Sequence, residues 1–77
     1  MPHYRFRLER GNHIGRELGF DLPDASVVGH VAKQVARRMA SDDLRGGRLD
    51  LRQELAVRGD DDLVIARYSL AEFIEML

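Results

Sequence analysis

The chain predicts an α+β fold. We expect a small antiparallel sheet of two hairpins, in the order β-β-α-β-β with a short C-terminal α, and one long helix packed on one face. Three observations carry this. Tyr4, Phe6 and Leu8 alternate with charged residues, as do Leu49, Leu51, Leu55 and Val57 later in the chain, which is the two-residue period of half-buried strands. Between them Val28, Val31, Ala32, Val35, Ala36 and Met39 recur at three- and four-residue spacing, the apolar stripe of an amphipathic helix. Short Gly- and Asp-rich segments separate the periodic stretches.

Each element follows in order. The first strand has Tyr4, Phe6 and Leu8 inward and His3, Arg5, Arg7 and Glu9 outward. Arg10-Gly11-Asn12-His13 is turn chemistry. A second strand over residues 16–20 returns antiparallel, with Leu18, Phe20 and Leu22 joining the core and Gly15 and Gly19 marking bends. The helix occupies residues 23–47. Asp24 is the expected N-cap, with Ser26 the alternative, and Gly46-Gly47 ends it. Gly29 inside this pattern costs about 1 kcal/mol relative to Ala, so either a strand passes close to it or the first turn is weak. A third strand spans residues 49–58, and Gly59-Asp60-Asp61-Asp62 turns into a fourth over residues 63–68. Ser69-Leu70-Ala71-Glu72 matches the capping-box pattern and starts the C-terminal helix.

Length and composition narrow the function. At 77 residues, residues 1–77 form a single domain near the small end for a self-sufficient core. There is no cysteine to form a disulfide or thiolate metal site. Charged residues make up 32% yet sum to −1, which is neither a polybasic binder nor an acidic tail. No apolar run is long enough to cross a membrane. Met-Pro-His-Tyr-Arg at the start lacks the apolar core of a signal peptide, so a cytoplasmic protein is expected.

Candidate chemistry is sparse. His3, His13 and His30 follow no metal-ligand spacing, and the three aspartates at 60–62 lack the alternating ligands and terminal Glu of a calcium loop. The chain has Ser26, Ser41 and Ser69 and no threonine; Ser26 and Ser69 are accounted for as caps. Gly46-Gly47 follows a helix, whereas a phosphate loop precedes one. No enzyme activity, cofactor or metal is therefore expected.

Two partner classes stay open. Phe73, Ile74, Met76 and Leu77 are apolar enough to cap the core or to pack on a second copy, which makes a homodimer the first expectation; the sequence names no other protein partner. Alternatively Arg5, Arg7, Arg37, Arg38 and Arg45, with Arg16 added to the first hairpin's outward face, form a nucleic-acid contact. Eleven of the twelve basic residues are Arg, which suits phosphate and carboxylate contacts alike. Glu9, Glu17, Asp50 and Glu54 interleave with them, and no outward aromatic platform accompanies them.

Met1-Pro2-His3-Tyr4-Arg5-Phe6, the Leu22-Pro23-Asp24 helix entry, the exit at Asp43-Leu44 with Gly46-Gly47, and the closing hairpin over residues 57–70 resemble a family of short proteobacterial proteins of unknown function. Its members open M-P-R-Y-[FY]-F and enter their helix through Leu-Pro-Asp. The chain departs from that pattern at Arg5 and Arg7, where the family favours aromatic or His residues, and its helix is richer in Val. The resemblance implies a small intracellular α+β domain and carries over no catalytic residue.

Overall fold

The computed structural model describes residues 1–74. Its elements run β1 (His3–Arg10), β2 (His13–Asp21), α1 (Val28–Arg45), β3 (Glu54–Arg58), β4 (Val64–Ser69) and α2 (Leu70–Ile74). The strands form one sheet in the order β2-β1-β3-β4, antiparallel throughout. The expected α+β architecture is the observed one.

The sheet is built around β1. Phe6 stands opposite Leu18 on β2 and Val57 on β3, and Leu8 stands opposite Leu55. Phe6, Leu55 and Val57 are completely buried beneath α1, whose Val28, Ala32, Val35, Ala36 and Met39 close the core. Small residues at 32 and 36 let the helix approach the sheet closely, so the core is tight although its side chains are few.

The helix termini follow local chemistry. Asp24 caps a single 3-10 turn, Ala25–Val27, accepting from the Ser26 N–H at 2.8 Å, and α1 begins one turn later than the pattern suggested. Gly29 sits in that first turn, and the Tyr68 hydroxyl of β4 comes within 3.7 Å of where its Cβ would be. At the other end Arg48 N–H donates to Asp43 O and Gly47 N–H to Leu44 O, both at 2.9 Å. That pair of bonds requires a left-handed residue at 47, which the glycine supplies with φ 78°. In α2, Glu72 accepts the Ser69 N–H at 3.3 Å, as the capping box predicts.

Two expectations need correction. The strand after α1 starts at Glu54 rather than at residue 49. Asp50 accepts the Arg52 N–H at 2.9 Å, and Gln53 Nε2 donates to Asp50 O at 3.0 Å. This local turn takes hydrogen bonds that a strand would have paired, so Leu51 is exposed instead of core-facing. The second strand is longer than residues 16–20, and Leu18 and Phe20 do not complete the core: they remain 39% and 37% exposed. Their side chains point to the helix side of the sheet, but α1 lies over β1 and β3, and α2 packs beside α1 near β4. Among the described residues α1 does not reach far enough to close over Leu18 and Phe20.

Candidate interaction site

The two sides of the sheet differ in chemistry. On the side away from α1, Glu9 stands at the centre. Its carboxylate accepts from Arg67 at 3.1 Å and Arg58 at 3.3 Å, with Arg7 at 3.9 Å, and these side chains bury it to 9% exposure. Arg7 turns mainly to Glu17, at 2.8 Å, and Arg67 also reaches Glu54 at 3.2 Å. The hydrogen bond to Glu17, reinforced by the Glu17 and Glu9 charges, raises the Arg7 pKa further. Arg5 pairs with Asp62 on the β3–β4 loop, and this hydrogen bond, with the Arg5 charge, holds the Asp62 carboxyl below the usual range. The same loop supplies Asp60, which accepts the His3 N–H at 3.2 Å. The three aspartates thus include two that fasten the start of β1. Arg5, Arg7, Arg58 and Arg67 are each ion-paired on this face.

On the helix side, an open trough of about 510 Å³ runs between β2 and α1. Leu18, Phe20 and Leu22 form one wall; Val31, Gln34, Val35 and Arg38 form the other. It adjoins the core, since Phe20 lies edge-on to the buried Phe6 at a centroid distance of 5.8 Å. The trough borders a free strand edge, because β2 ends the sheet. Leu22 N–H donates to Pro2 O at 3.0 Å, which sets the phase of the β1–β2 ladder. In an antiparallel pair the inward-bonding residues alternate, so Leu22, Phe20 and Leu18 bond to β1, while the N–H and C=O groups of Asp21, Gly19 and Glu17 point outward.

The fold distributes the predicted contact residues over different surfaces. Arg5 and Arg7 lie on the sheet face away from α1, each in an ion pair. Arg37, Arg38 and Arg45 are exposed on α1, in the opposite layer; Arg45 pairs with Asp42 at 3.6 Å. Arg16 is a correction: it shares the alternation of Leu18 and Phe20 and so lies on the helix side, where it donates to Met39 O at 3.1 Å and Asp43 at 3.2 Å. Phe73 packs on Tyr68 at 5.1 Å between centroids and against the core. Ile74 ends α2, and Met76 and Leu77 lie outside the described residues.

Sequence reasoning missed the central role of Glu9, Arg58 and Arg67 and the bareness of the β2 wall. Opposite charges on the polar phases of three strands were the available signal for the first. Only strand order reveals the second.

Among the described residues no group of three His, Asp or Glu side chains is placed to hold a metal, and no helix is long and apolar enough to cross a membrane. His3 pairs with Asp21 at 2.8 Å, and His30 faces Gln34 at 3.4 Å.

A family model described as a domain of unknown function, DUF6894, matches residues 3–71. The chain belongs to the DUF6894 family. No curated protein and no solved structure matches it. The span shared with DUF6894 runs from the first residue of β1 into α2, so both the charged face and the trough lie inside the family domain.

Proposed function

We propose that this DUF6894 domain is a non-catalytic interaction module that acts through protein contacts, its own copy first, at the β2 edge and the adjoining trough. One observation carries the proposal: β2 is bare in two ways at once. Among the described residues its outer backbone groups lack a strand partner, and its apolar wall, Leu18 and Phe20, lacks a helix above it. An unpaired edge beside an apolar trough is the surface that strand addition uses, with main-chain bonds giving affinity and alternate side chains giving specificity. The charges favour protein contact over nucleic acid. Arg5 and Arg7 are neutralised by Asp62, Glu17 and Glu9, and the helix arginines lie on another layer, so the arginines make no continuous basic track.

Light scattering at tens of micromolar should give the mass of a dimer, and Leu18→Lys should give a monomer whose melting temperature matches that of the native chain diluted below its dimerisation range. A native chain that is monomeric at that concentration contradicts self-association.

A further inference from the structure

Resting on that reading, the geometry points to one mode of self-association: β2 pairs antiparallel with β2 of a second copy about a two-fold axis at Leu18, giving a continuous eight-stranded sheet.

The outward phase of the edge restricts the register. Glu17, Gly19 and Asp21 present the free N–H and C=O groups, so each must bond to an outward-facing residue of the second strand. A two-fold axis must then pass through a residue, and charge selects which one. An axis at Glu17 sets that carboxylate against itself. An axis at Gly19 sets Glu17 against Asp21 of the second copy, twice. Like charges directly opposite destabilise a ladder. An axis at Phe20 avoids this but runs the pairing into Pro23, which has no N–H to donate.

The axis at Leu18 meets none of these objections. Glu17 pairs with Gly19 of the second copy in both directions, so the carboxylate faces no side chain. Leu18 meets Leu18 across the axis, and Arg16 stands opposite Phe20 of the second copy. Both pairs lie on the helix side, where the Leu18 and Phe20 walls of the two troughs become continuous. The pairing stops near Gly15, where the irregularity between Arg7 and Glu9 bends the strand and limits further growth.

Leu18 falls at a non-hydrogen-bonded position of the new ladder, where paired Cα atoms lie about 4.5 Å apart, within the range a disulfide spans. The chain has no cysteine, so a single one reports without background. Leu18→Cys should form an intermolecular disulfide under mild oxidation at a concentration where sedimentation shows its dimer. Phe20→Cys should not, since its copies stand four residues apart along the strand, about 13 Å. A Phe20→Cys disulfide, or a Leu18→Cys dimer that fails to oxidise, overturns the register while leaving self-association standing. A monomer by sedimentation overturns both. A mixed sample of labelled and unlabelled native chain checks the same point without substitution. A Leu18 Hα contact between copies is expected, and a dimer lacking it overturns the register.

Discussion

Phe20 meets Phe6 edge to face, 5.8 Å between centroids at 72°, yet Phe6 is completely buried and Phe20 is more than a third exposed. The boundary of the core runs between these two rings. A single helix covers the central strands of the sheet, and the β2 wall beyond Phe6 is left open.

Truncating the two rings should therefore have different consequences. Phe6→Ala is expected to cost about 3–5 kcal/mol, much of the stability of a domain this small. Phe20→Ala should cost well under half as much in the monomer, and should instead weaken the dimer. Urea denaturation measured below and above the dimerisation range separates the two effects.

Glu9 holds the charged face together. Glu9→Gln keeps the shape but leaves Arg58, Arg67 and Arg7 gathered around a neutral amide. A loss of about 1–3 kcal/mol is expected, because a mostly buried partner is removed from its charges. Arg67→Ala should cost less, since that side chain is about half exposed and Arg58 remains on Glu9. Denaturation midpoints of the two variants check the order.

Gly47 ends α1 in a left-handed conformation with φ 78°. Gly47→Ala should destabilise by about 1 kcal/mol through backbone strain alone, since no atom lies within 4 Å of the added Cβ. Gly46→Ala, at φ −85°, should cost less. Thermal unfolding of the pair makes the comparison.

Acid should unfold the chain through particular carboxylates. The hydrogen bond from Arg5 lowers the Asp62 pKa, that from Ser26 lowers Asp24, and the Arg52 N–H lowers Asp50, each from an ordinary value of 3.8. A depressed folded-state pKa contributes stability that is complete above 3.8 and is lost as pH falls through the lowered value. Stability should therefore be flat from these groups near neutrality and fall below about pH 4. Asp62→Asn should flatten that fall and lower the neutral-pH stability; an unchanged acid slope would show that Asp62 plays no part.

Nucleic acid binding should be absent or feeble. With Arg5 and Arg7 paired and the helix arginines apart, mixed DNA or RNA at low salt is expected to give no saturable complex. Salt-sensitive binding abolished by Arg37→Ala with Arg38→Ala would instead support the helix as a nucleic-acid surface.

Much of the fold was legible because local chemistry and packing agree. The phase of Tyr4, Phe6 and Leu8, the stripe from Val28 to Met39, the Asp24 cap and the Gly46-Gly47 stop all appear where periodicity put them. Leu49 and Leu51 misled for a local reason: the Asp50 turn breaks the strand before its alternation can matter. The interaction surface was not legible. Leu18 and Phe20 alternate like core residues, and their exposure depends on strand order and on where one helix lies. The acidic residues among the arginines were legible, but their pairing was not: Arg5 with Asp62 and Arg7 with Glu17 join residues far apart in the chain. Phe73 read as a dimer contact equally well as a core residue, and its position beside Tyr68 belongs to its own core.

Amide hydrogen exchange of the native chain reads out the pairing of β2 with a second β2. The outward N–H groups of Glu17 and Gly19 have no strand partner among the described residues and should exchange rapidly when dilute. On pairing with a second β2 they should become protected, increasingly with concentration, while Leu18, bonded to β1, stays protected throughout. Rapid exchange at Glu17 and Gly19 from micromolar to millimolar concentration would contradict the account.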